Sequence, residues 1–415
     1  MSHSILKLPG ITGVRIDEAK LRAHVMRPRQ IAEAHGDRGP QTLGAPHVPK
    51  SKGPQPRILT HLNVNNFQAG LNDALGASEG YCWQLRQHGA MIAEQSYKFS
   101  QTYDIFGFAL NLPWTYDTPM HIASLSKTIT AIAMTKLLNG LGIAFGTAIS
   151  PYLPTYWSQG PDINLITFSD LLTHTSGLTS DATDYESMKA AIATGVTTHG
   201  TYKYANMNFS LCRILLAVLN GNISVNFMFP PFLSGLIDPL WDLITIDAFQ
   251  GYVATSVFTP AGSAAHLVHQ EGDALAYDYP TNPGEIGWND GDLTTTSGAA
   301  GWHMSVNQLL DVMGTFRRAG TIVTTQLAQT MLDDGFAVDW TEGTTAGGSY
   351  YAKNGLWENG NGQLEQGVSF YLPQDMELVV LANSPVCWRY LPNQTIWVPL
   401  FLYSVVSDVY LGSLS

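Results

Sequence analysis

Strand-like sequence stands near both ends of this 415-residue chain, with helical sequence between them. Near the front, YCWQLRQHGAMIAEQSYKF (81–99) predicts two strands around a turn at His88–Gly89. Near the end, QGVSFYLP (366–373) and MELVVLANS (376–384) predict two more. Strands separated by so much helical sequence indicate one antiparallel sheet built from both chain ends. We therefore expect an α+β fold in which the helical middle is an inserted subdomain.

The first 60 residues differ from the rest in composition. HGDRGPQTLGAPHVPKSKGPQP (35–56) is rich in proline, glycine and polar residues, which is typical of an extended arm, and a short helix is predicted over 17–34. Residues 61–415 are expected to form one domain. It opens on a helix in NNFQAGLNDAL (65–75), where Phe67, Leu71 and Leu75 recur at helical spacing.

Within that domain, residues from about 140 to 335 are predicted to be mainly helical, and an apolar helix is expected from about Trp397. Residues 221–247, GNISVNFMFPPFLSGLIDPLWDLITID, form an apolar insertion. It is either additional core, a subunit contact or a lid over a substrate pocket.

Composition excludes several classes of function. The net charge is −12, so nucleic acid is not an expected partner, and charged residues make up only 13% of the chain. No run reaches the ~18 apolar residues of a membrane span, and no signal-peptide pattern stands at the N-terminus. We expect a cytoplasmic protein without a membrane span. The three cysteines, Cys82, Cys212 and Cys387, lack metal-binding spacing and are expected to be buried thiols.

A serine and a lysine three residues apart stand in HIASLSKTIT (121–130), at the start of a helix predicted over Ser124–Asn139 and closed by Gly140. Serine is a weak nucleophile that needs a base, and positions i and i+3 share one face of a helix. Lysine can act as that base if its pKa is lowered, and a helix N-terminus favours a developing oxyanion. Ser4 and Lys7 have the same spacing, but Pro9 follows them and no helix is indicated.

Two further motifs follow in order along the chain. Tyr204–Ala205–Asn206 is the only Y-x-N, and Lys353–Asn354–Gly355 is the only K-x-G. With Ser124–Lys127 they resemble the motif set of the serine β-lactamase and penicillin-binding-protein superfamily. IASLSKTITAIAMTKLL and FSDLLTHTSGL are similar to the branch that holds class C β-lactamases, D-alanyl-D-alanine carboxypeptidases and family VIII carboxylesterases. The resemblance covers residues 62–410 and implies a β-lactamase-like fold.

The resemblance also implies a mechanism by acyl transfer through a covalent intermediate. Ser124 is the nucleophile, Lys127 takes its proton, and Tyr204 relays that proton to the leaving group. The implied substrate and oxyanion contacts are Asn206, Lys353, Gly355 and Leu356. No metal or organic cofactor is implied.

Within the superfamily we expect an esterase of the family VIII type, acting on a small ester or amide, with a homo-oligomer possible. Asn354 replaces the hydroxyl residue that helps β-lactamases hold a substrate carboxylate. The alternatives are an amide hydrolase (a D-aminopeptidase, a DD-peptidase or a β-lactamase), an acyltransferase, or a binding protein without activity. Ser78, in the G-x-S-x-G match GASEG, is a competing nucleophile. It follows a helix and precedes strands, the reverse of the α/β-hydrolase order, so we predict a loop residue there.

Overall fold

The computed structural model describes residues 61–104, 106–228, 235–344, 348–386, 388–391, 396–399 and 401–415, with 5–6, 11–12, 16–17, 21 and 23–24. Most of the expected arm and its helix, and Cys387, therefore lie outside the described residues. Cys82 and Cys212 are buried free thiols, as predicted. The chain divides into a helical unit and a sheet unit. The helical unit comprises Met1–Ala34, Ser126–Pro260 and Leu293–Ala300, and the sheet unit His35–Leu125, Ala261–Asp292 and Gly301–Ser415.

The strands of the sheet unit come from both chain ends. They are β1 (Gly80–Gln87), β2 (Ala90–Tyr103), β3 (Ala109–Pro113), β4 (Met120–His121), β5 (His303–Met304), β6 (Trp340–Thr344), β7 (Gly348–Glu358), β8 (Leu364–Leu372), β9 (Met376–Ala382), β10 (Trp388–Leu391) and β11 (Ile396–Pro399). Seven of them form one antiparallel sheet in the order β3-β2-β1-β9-β8-β7-β6. β1 pairs with β9, which places Leu85 opposite Leu378. The predicted α+β fold and its sheet from both chain ends are confirmed.

The helices lie in both units. They are α1 (Val64–Leu75), α2 (Ser126–Leu141), α3 (Phe168–Leu172), α4 (Tyr185–Thr194), α5 (Asn206–Leu219), α6 (Ile237–Val253), α7 (Val306–Gly314), α8 (Thr325–Asp333) and α9 (Leu402–Gly412). Among the described residues, no helix has the length and apolar character needed to cross a bilayer. Within the span of 140–335 predicted to be mainly helical, residues 261–292 and 301–335 belong to the sheet unit. Residues 261–292 hold no α-helix, whereas 301–335 contain α7 and α8.

The core of the sheet unit lies between one sheet face and helices α1 and α9. The side chain of Asn63 caps α1 by accepting a hydrogen bond from the Asn66 N–H, and Phe67, Leu71 and Leu75 are fully buried as their spacing predicts. The rings of Phe67 and Trp83 meet edge to face at 5.9 Å. This contact ties α1 to the centre of the sheet.

Two further predictions concern the first hairpin turn and the start of the C-terminal helix, and only the first is confirmed. The His88–Gly89 turn is confirmed, and both residues have the positive φ (51° and 81°) that a two-residue hairpin turn requires. The helix expected from Trp397 begins instead at Leu402, because Ile396–Pro399 forms β11. β-branched and aromatic residues favour a strand there, and Pro399 disfavours helical backbone at the residue before it.

The insertion at 221–247 supplies core in its second half. Trp241, in α6, is fully buried and packs against the rings of Tyr156 and Tyr185 at 6.3 and 6.2 Å. Its neighbour Asp242 accepts a hydrogen bond of 2.6 Å from buried Arg213 on α5. Trp241 is therefore not a pocket lid. Phe229 and Phe232 lie outside the described residues.

Candidate active site

Ser124 lies in a short 3₁₀ turn, Ala123–Leu125, that runs directly into α2 at Ser126. The helix therefore begins two residues later than the sequence predicts. It also ends at Leu141 rather than at Asn139, and the left-handed glycine that follows it is Gly142, with φ of 68°, rather than Gly140. Ala123 has φ of 47°, a conformation costly for a residue with a Cβ. Such backbone strain is typical of residues beside a functional group, and it fixes the direction in which the chain presents Ser124.

Two glycines on neighbouring strands pack closely against the Ser124 turn. Gly355 on β7 and Gly367 on β8 are register partners. A Cβ at Gly355 would lie 2.5 Å from the Ile122 carbonyl oxygen and 3.2 Å from the Ser124 nitrogen. A Cβ at Gly367 would lie 2.8 Å from a methyl carbon of Leu125. The glycine of the K-x-G motif thus lets β7 approach the backbone of the Ser124 turn.

The hydrogen bonds of β7 fix where its amide groups point. The Asn354 N–H donates to Asp339 Oδ2 at 2.9 Å, so it points away from β8. Amide groups two residues apart on a strand point to the same side, so the Leu356 N–H also points away from β8. That direction makes it available as an oxyanion donor.

Lys127 is fully buried in the first turn of α2, within the helical unit. Its Nζ donates to Asn206 Oδ1 at 2.7 Å and to the Ala299 carbonyl at 2.9 Å, and it lies 5.0 Å from the centre of the Tyr204 ring. The side-chain amide of Asn206 and the carbonyl of Ala299 are both neutral acceptors. The helical unit thus brings together three of the residues predicted from the sequence, Lys127, Tyr204 and Asn206.

A small polar network supports Tyr204 from the other side. The ring of His174 lies 4.4 Å from the Tyr204 ring, and its Nδ1 accepts a hydrogen bond of 3.3 Å from the Ala205 N–H. Asn208 lies 3.1 Å from the same nitrogen and accepts a bond of 2.6 Å from Ser176. His174 therefore contacts Tyr204 as a structural residue of its loop.

Lys353 is paired with an acidic residue that the sequence did not single out. Its Nζ lies 2.5 Å from Asp339 Oδ1, and the two side chains are 3% and 13% exposed. The same carboxylate accepts the Asn354 N–H. Asp339 lies in DDGFAVDW, between α8 and β6, with no motif to mark it. The charge of Lys353 is thus offset by Asp339 within the sheet unit.

Comparison with known proteins agrees with this architecture. The sequence profile of the beta-lactamase family matches residues 76–386, about three quarters of the chain. The chain therefore belongs to the beta-lactamase family, whose fold is that of the serine β-lactamases and penicillin-binding proteins. No curated protein sequence matches it.

Three similar solved structures show the same fold at low identity. A class C β-lactamase from Rhodobacter sphaeroides is 15% identical, with a TM-score of 0.54, over 84% of this chain and 98% of that one. A D-amino acid amidase from Ochrobactrum anthropi is 15% identical, with a TM-score of 0.52, over 78% and 91%. An octameric penicillin-binding protein homologue from Pyrococcus abyssi is 14% identical, with a TM-score of 0.56, over 78% and 74%.

The paired glycines give a first test of the Ser124 turn. We expect Gly355→Ala to cost more than about 3 kcal/mol of stability, or to abolish labelling of the protein by a fluorophosphonate probe, because the new methyl group would meet rigid backbone. Gly367→Ala should cost only about 1–3 kcal/mol, since a leucine side chain can rotate away. Thermal melts and labelling rates of both variants measure this. Equal effects of the two substitutions would contradict a close backbone contact at Gly355.

Proposed function

We propose that this chain is a serine hydrolase of carboxylic esters that acts through an acyl-enzyme on Ser124. The observation that carries the proposal is the placement of Lys127: it is removed from solvent, held by Asn206 and Ala299, and set against Tyr204. A lysine held in this way can exchange a proton without its side chain reorganising.

In the proposed reaction the Ser124 hydroxyl attacks the ester carbonyl carbon while Lys127 takes the hydroxyl proton. The backbone N–H groups of Ser124 and Leu356 stabilise the oxyanion that forms, each by about 3 kcal/mol. The intermediate collapses, the C–O bond to the alcohol breaks, and Tyr204 relays the proton held by Lys127 to the departing alcohol. Water then attacks the acyl carbonyl carbon and gives up one proton to the same pair of residues. The bond between the acyl group and Ser124 Oγ breaks, that proton returns to Ser124 Oγ, and the carboxylic acid leaves.

Asp339 is the reason for preferring uncharged esters to substrates that bear a carboxylate. Recognition of a substrate carboxylate requires a cation and hydrogen-bond donors near the K-x-G strand. Here the Asp339 carboxylate already engages the Lys353 ammonium and the Asn354 N–H. A second carboxylate would have to compete with it for both groups. The intact motif residues argue against a binding protein without activity, whereas amide hydrolysis and acyl transfer remain the alternatives.

A substrate panel tests the proposed activity. We expect kcat/KM for p-nitrophenyl acetate and butyrate to exceed that for nitrocefin at least about 100-fold, because a lost hydrogen bond to a charged group costs about 1.5–3 kcal/mol. D-phenylalanine amide is the third substrate. Comparable rates on nitrocefin or on the amide would move the assignment to the amide hydrolases.

Asp339→Asn then tests the reason for that preference. It removes the competing charge at nearly constant volume, so the ratio of ester to nitrocefin kcat/KM should fall at least about tenfold. Asp333→Asn is the matched control, since Asp333 bonds Tyr351 and Gln329 instead. An unchanged ratio in Asp339→Asn would refute the role of Asp339 but not the esterase activity.

The expected homo-oligomer and the expected cytoplasmic location stay predictions. An exposed edge strand, β3, carries Leu110 and Leu112 at 39% and 41% exposure, beside Phe106 and Phe108 at 75% and 70%. Such an apolar sheet edge supports the expected homo-oligomer, because a second copy would remove it from water.

A further inference from the structure

A cluster of histidines and carboxylates lies in the sheet unit and takes no part in the proposed reaction. Its members are His266, His269, Asp273, Asp290 and His303, with His121 and Glu365 at one side. Three backbone hydrogen bonds bring the segments together: His303 N–H to the His266 carbonyl at 2.8 Å, His269 N–H to the Gly291 carbonyl at 2.8 Å, and Ile122 N–H to the Trp302 carbonyl at 2.9 Å. The cluster is thus assembled by the fold.

The hydrogen bonds of His303 determine which of its nitrogens can bind a ligand. Its Nδ1 lies 3.2 Å from the Gly301 carbonyl oxygen, which can only accept, so Nδ1 carries the proton. In the neutral ring, Nε2 then directs a lone pair at Asp290 Oδ1, 3.2 Å away. Histidines that bind a metal commonly donate their other ring N–H to a backbone carbonyl in this way, which fixes the tautomer and the orientation of the ring.

The distance between these two atoms suits a shared cation. Zn²⁺ binds imidazole nitrogen at about 2.0–2.1 Å and carboxylate oxygen at about 2.0–2.2 Å, so two ligands at a tetrahedral angle stand about 3.4 Å apart. His269 completes the group, since its ligand atom lies within 4.8 Å of those of Asp290 and His303.

Charge within the cluster also favours a cation. The side chains of Asp273, Asp290 and Glu365 are at most 3% exposed, and within the described ranges no lysine or arginine pairs with them. The His266 and His303 rings stack at 5.1 Å on one side of these carboxylates. One divalent cation would offset two carboxylate charges at a single point.

His121 lies beside the proposed metal ligands but is not one of them. Its Nδ1 is 2.6 Å from Asp290 Oδ2 and 3.3 Å from Glu365 Oε2. However, the Gly301 N–H donates to its Nε2 at 3.1 Å, so that nitrogen holds the lone pair and Nδ1 holds the proton. Binding a metal at Nδ1 would require an imidazolate. His121 therefore orients Asp290 from behind.

We propose that His269, Asp290 and His303 bind one zinc-class divalent cation, with the His266–Asp273 pair beside it. Imidazole nitrogens select zinc and its neighbours over calcium and magnesium, which prefer oxygen. His266 and His269 are 21% and 14% exposed, so an ion can enter from solvent on their side. The ion joins residues 266–269 and 290 to strand β5, whose partner strand β4 ends three residues before Ser124.

The test measures metal content and thermal stability, not activity. Tag-free protein is stripped with EDTA, equilibrated with Zn²⁺, desalted and analysed by elemental mass spectrometry. We expect about one Zn²⁺ per chain and a rise in Tm of several degrees that EDTA reverses and Ca²⁺ does not produce. Zn²⁺ affinity should fall at least ~100-fold in His269→Gln and in Asp290→Asn, which conserve side-chain size. Near-ultraviolet circular dichroism establishes that each variant is folded.

His88→Gln is the matched control. His88 also pairs with an aspartate, Asp375, at 2.9 Å, but it lies outside the cluster and is 71% exposed. This variant should bind Zn²⁺ as the wild type does. Wild-type protein that retains less than about 0.2 equivalents, or cluster variants that bind as well as His88→Gln, would overturn the site. If both cluster variants fail to fold, a wild-type Tm that Zn²⁺ leaves unchanged would also overturn it.

Discussion

Ser124→Ala should remove essentially all hydrolysis of p-nitrophenyl esters, with a loss in kcat of at least about 10⁴-fold, and should abolish labelling by a fluorophosphonate probe. The acyl-enzyme cannot form without the hydroxyl, and loss of a nucleophile in serine hydrolases costs up to about 10⁶-fold. The fold should be retained, because the alanine occupies the same volume in the 3₁₀ turn. Intact-mass spectrometry of the labelled protein locates the adduct.

Ser78→Ala is the control for a competing nucleophile. Ser78 is fully buried in the turn between α1 and β1, and its Oγ donates to the Leu75 carbonyl at 2.7 Å, as suits the predicted loop residue. Its loss should cost about 1 kcal/mol of stability and leave kcat nearly unchanged. An inactive Ser78→Ala variant beside an active Ser124→Ala variant would refute the assignment of Ser124.

Lys127→Ala should lower kcat at least about 10³-fold, since removing a positioned base typically costs about 10²–10⁴-fold. Lys127→Arg should restore little, because guanidinium stays protonated and its planar fork does not fit between Asn206 Oδ1 and the Ala299 carbonyl. Steady-state rates and single-turnover acylation on p-nitrophenyl butyrate distinguish a loss in chemistry from a loss in binding.

Lys136→Ala is the control on the same helix. Lys136 donates to the Ser256 carbonyl at 2.9 Å, so its removal also deletes one lysine hydrogen bond from α2. It should leave kcat within about twofold, because Lys136 contacts none of the residues of the proposed reaction and its hydrogen bond goes to the Ser256 carbonyl. Full activity in Lys127→Arg would rule out a base role for Lys127.

Local patterns predicted the parts of the fold that local forces determine. The α1 helix follows from the spacing of Phe67, Leu71 and Leu75, and the first hairpin follows from His88–Gly89, where glycine suits positive φ. Helix α2 begins two residues later than its sequence predicts. Contacts of the 123–125 turn with Gly355 on β7 and Gly367 on β8 override helix propensity there. Such a contact joins segments more than 200 residues apart, and no periodicity reports it.

The residues of the candidate site also divide into those that a local motif predicts and those that only contacts between distant segments bring together. Ser124, Lys127, Tyr204 and Asn206 were found by motif, and the structure brings the last three together. Asp339 was missed because its partner Lys353 is fourteen residues away and neither position forms a pattern with the other. His266 and His269 stand three residues apart, a visible signal. Asp290 and His303 join them only through backbone hydrogen bonds, from the His269 N–H to the Gly291 carbonyl and from the His303 N–H to the His266 carbonyl. Sequence spacing therefore shows only two members of that cluster.

The pairing of β1 with β9 has a consequence for synthesis of the protein. The ribosome must add about 290 residues after Gln87 before Met376 emerges, which at about 5–20 residues per second takes about 15–60 s. Throughout that interval the β1–β2 hairpin lacks its neighbour, and the apolar edge at Trp83 and Leu85 is open to pairing with other nascent chains. The α1 helix likewise packs against α9, which is made after β9. A chain truncated before residue 376 therefore cannot complete its central sheet.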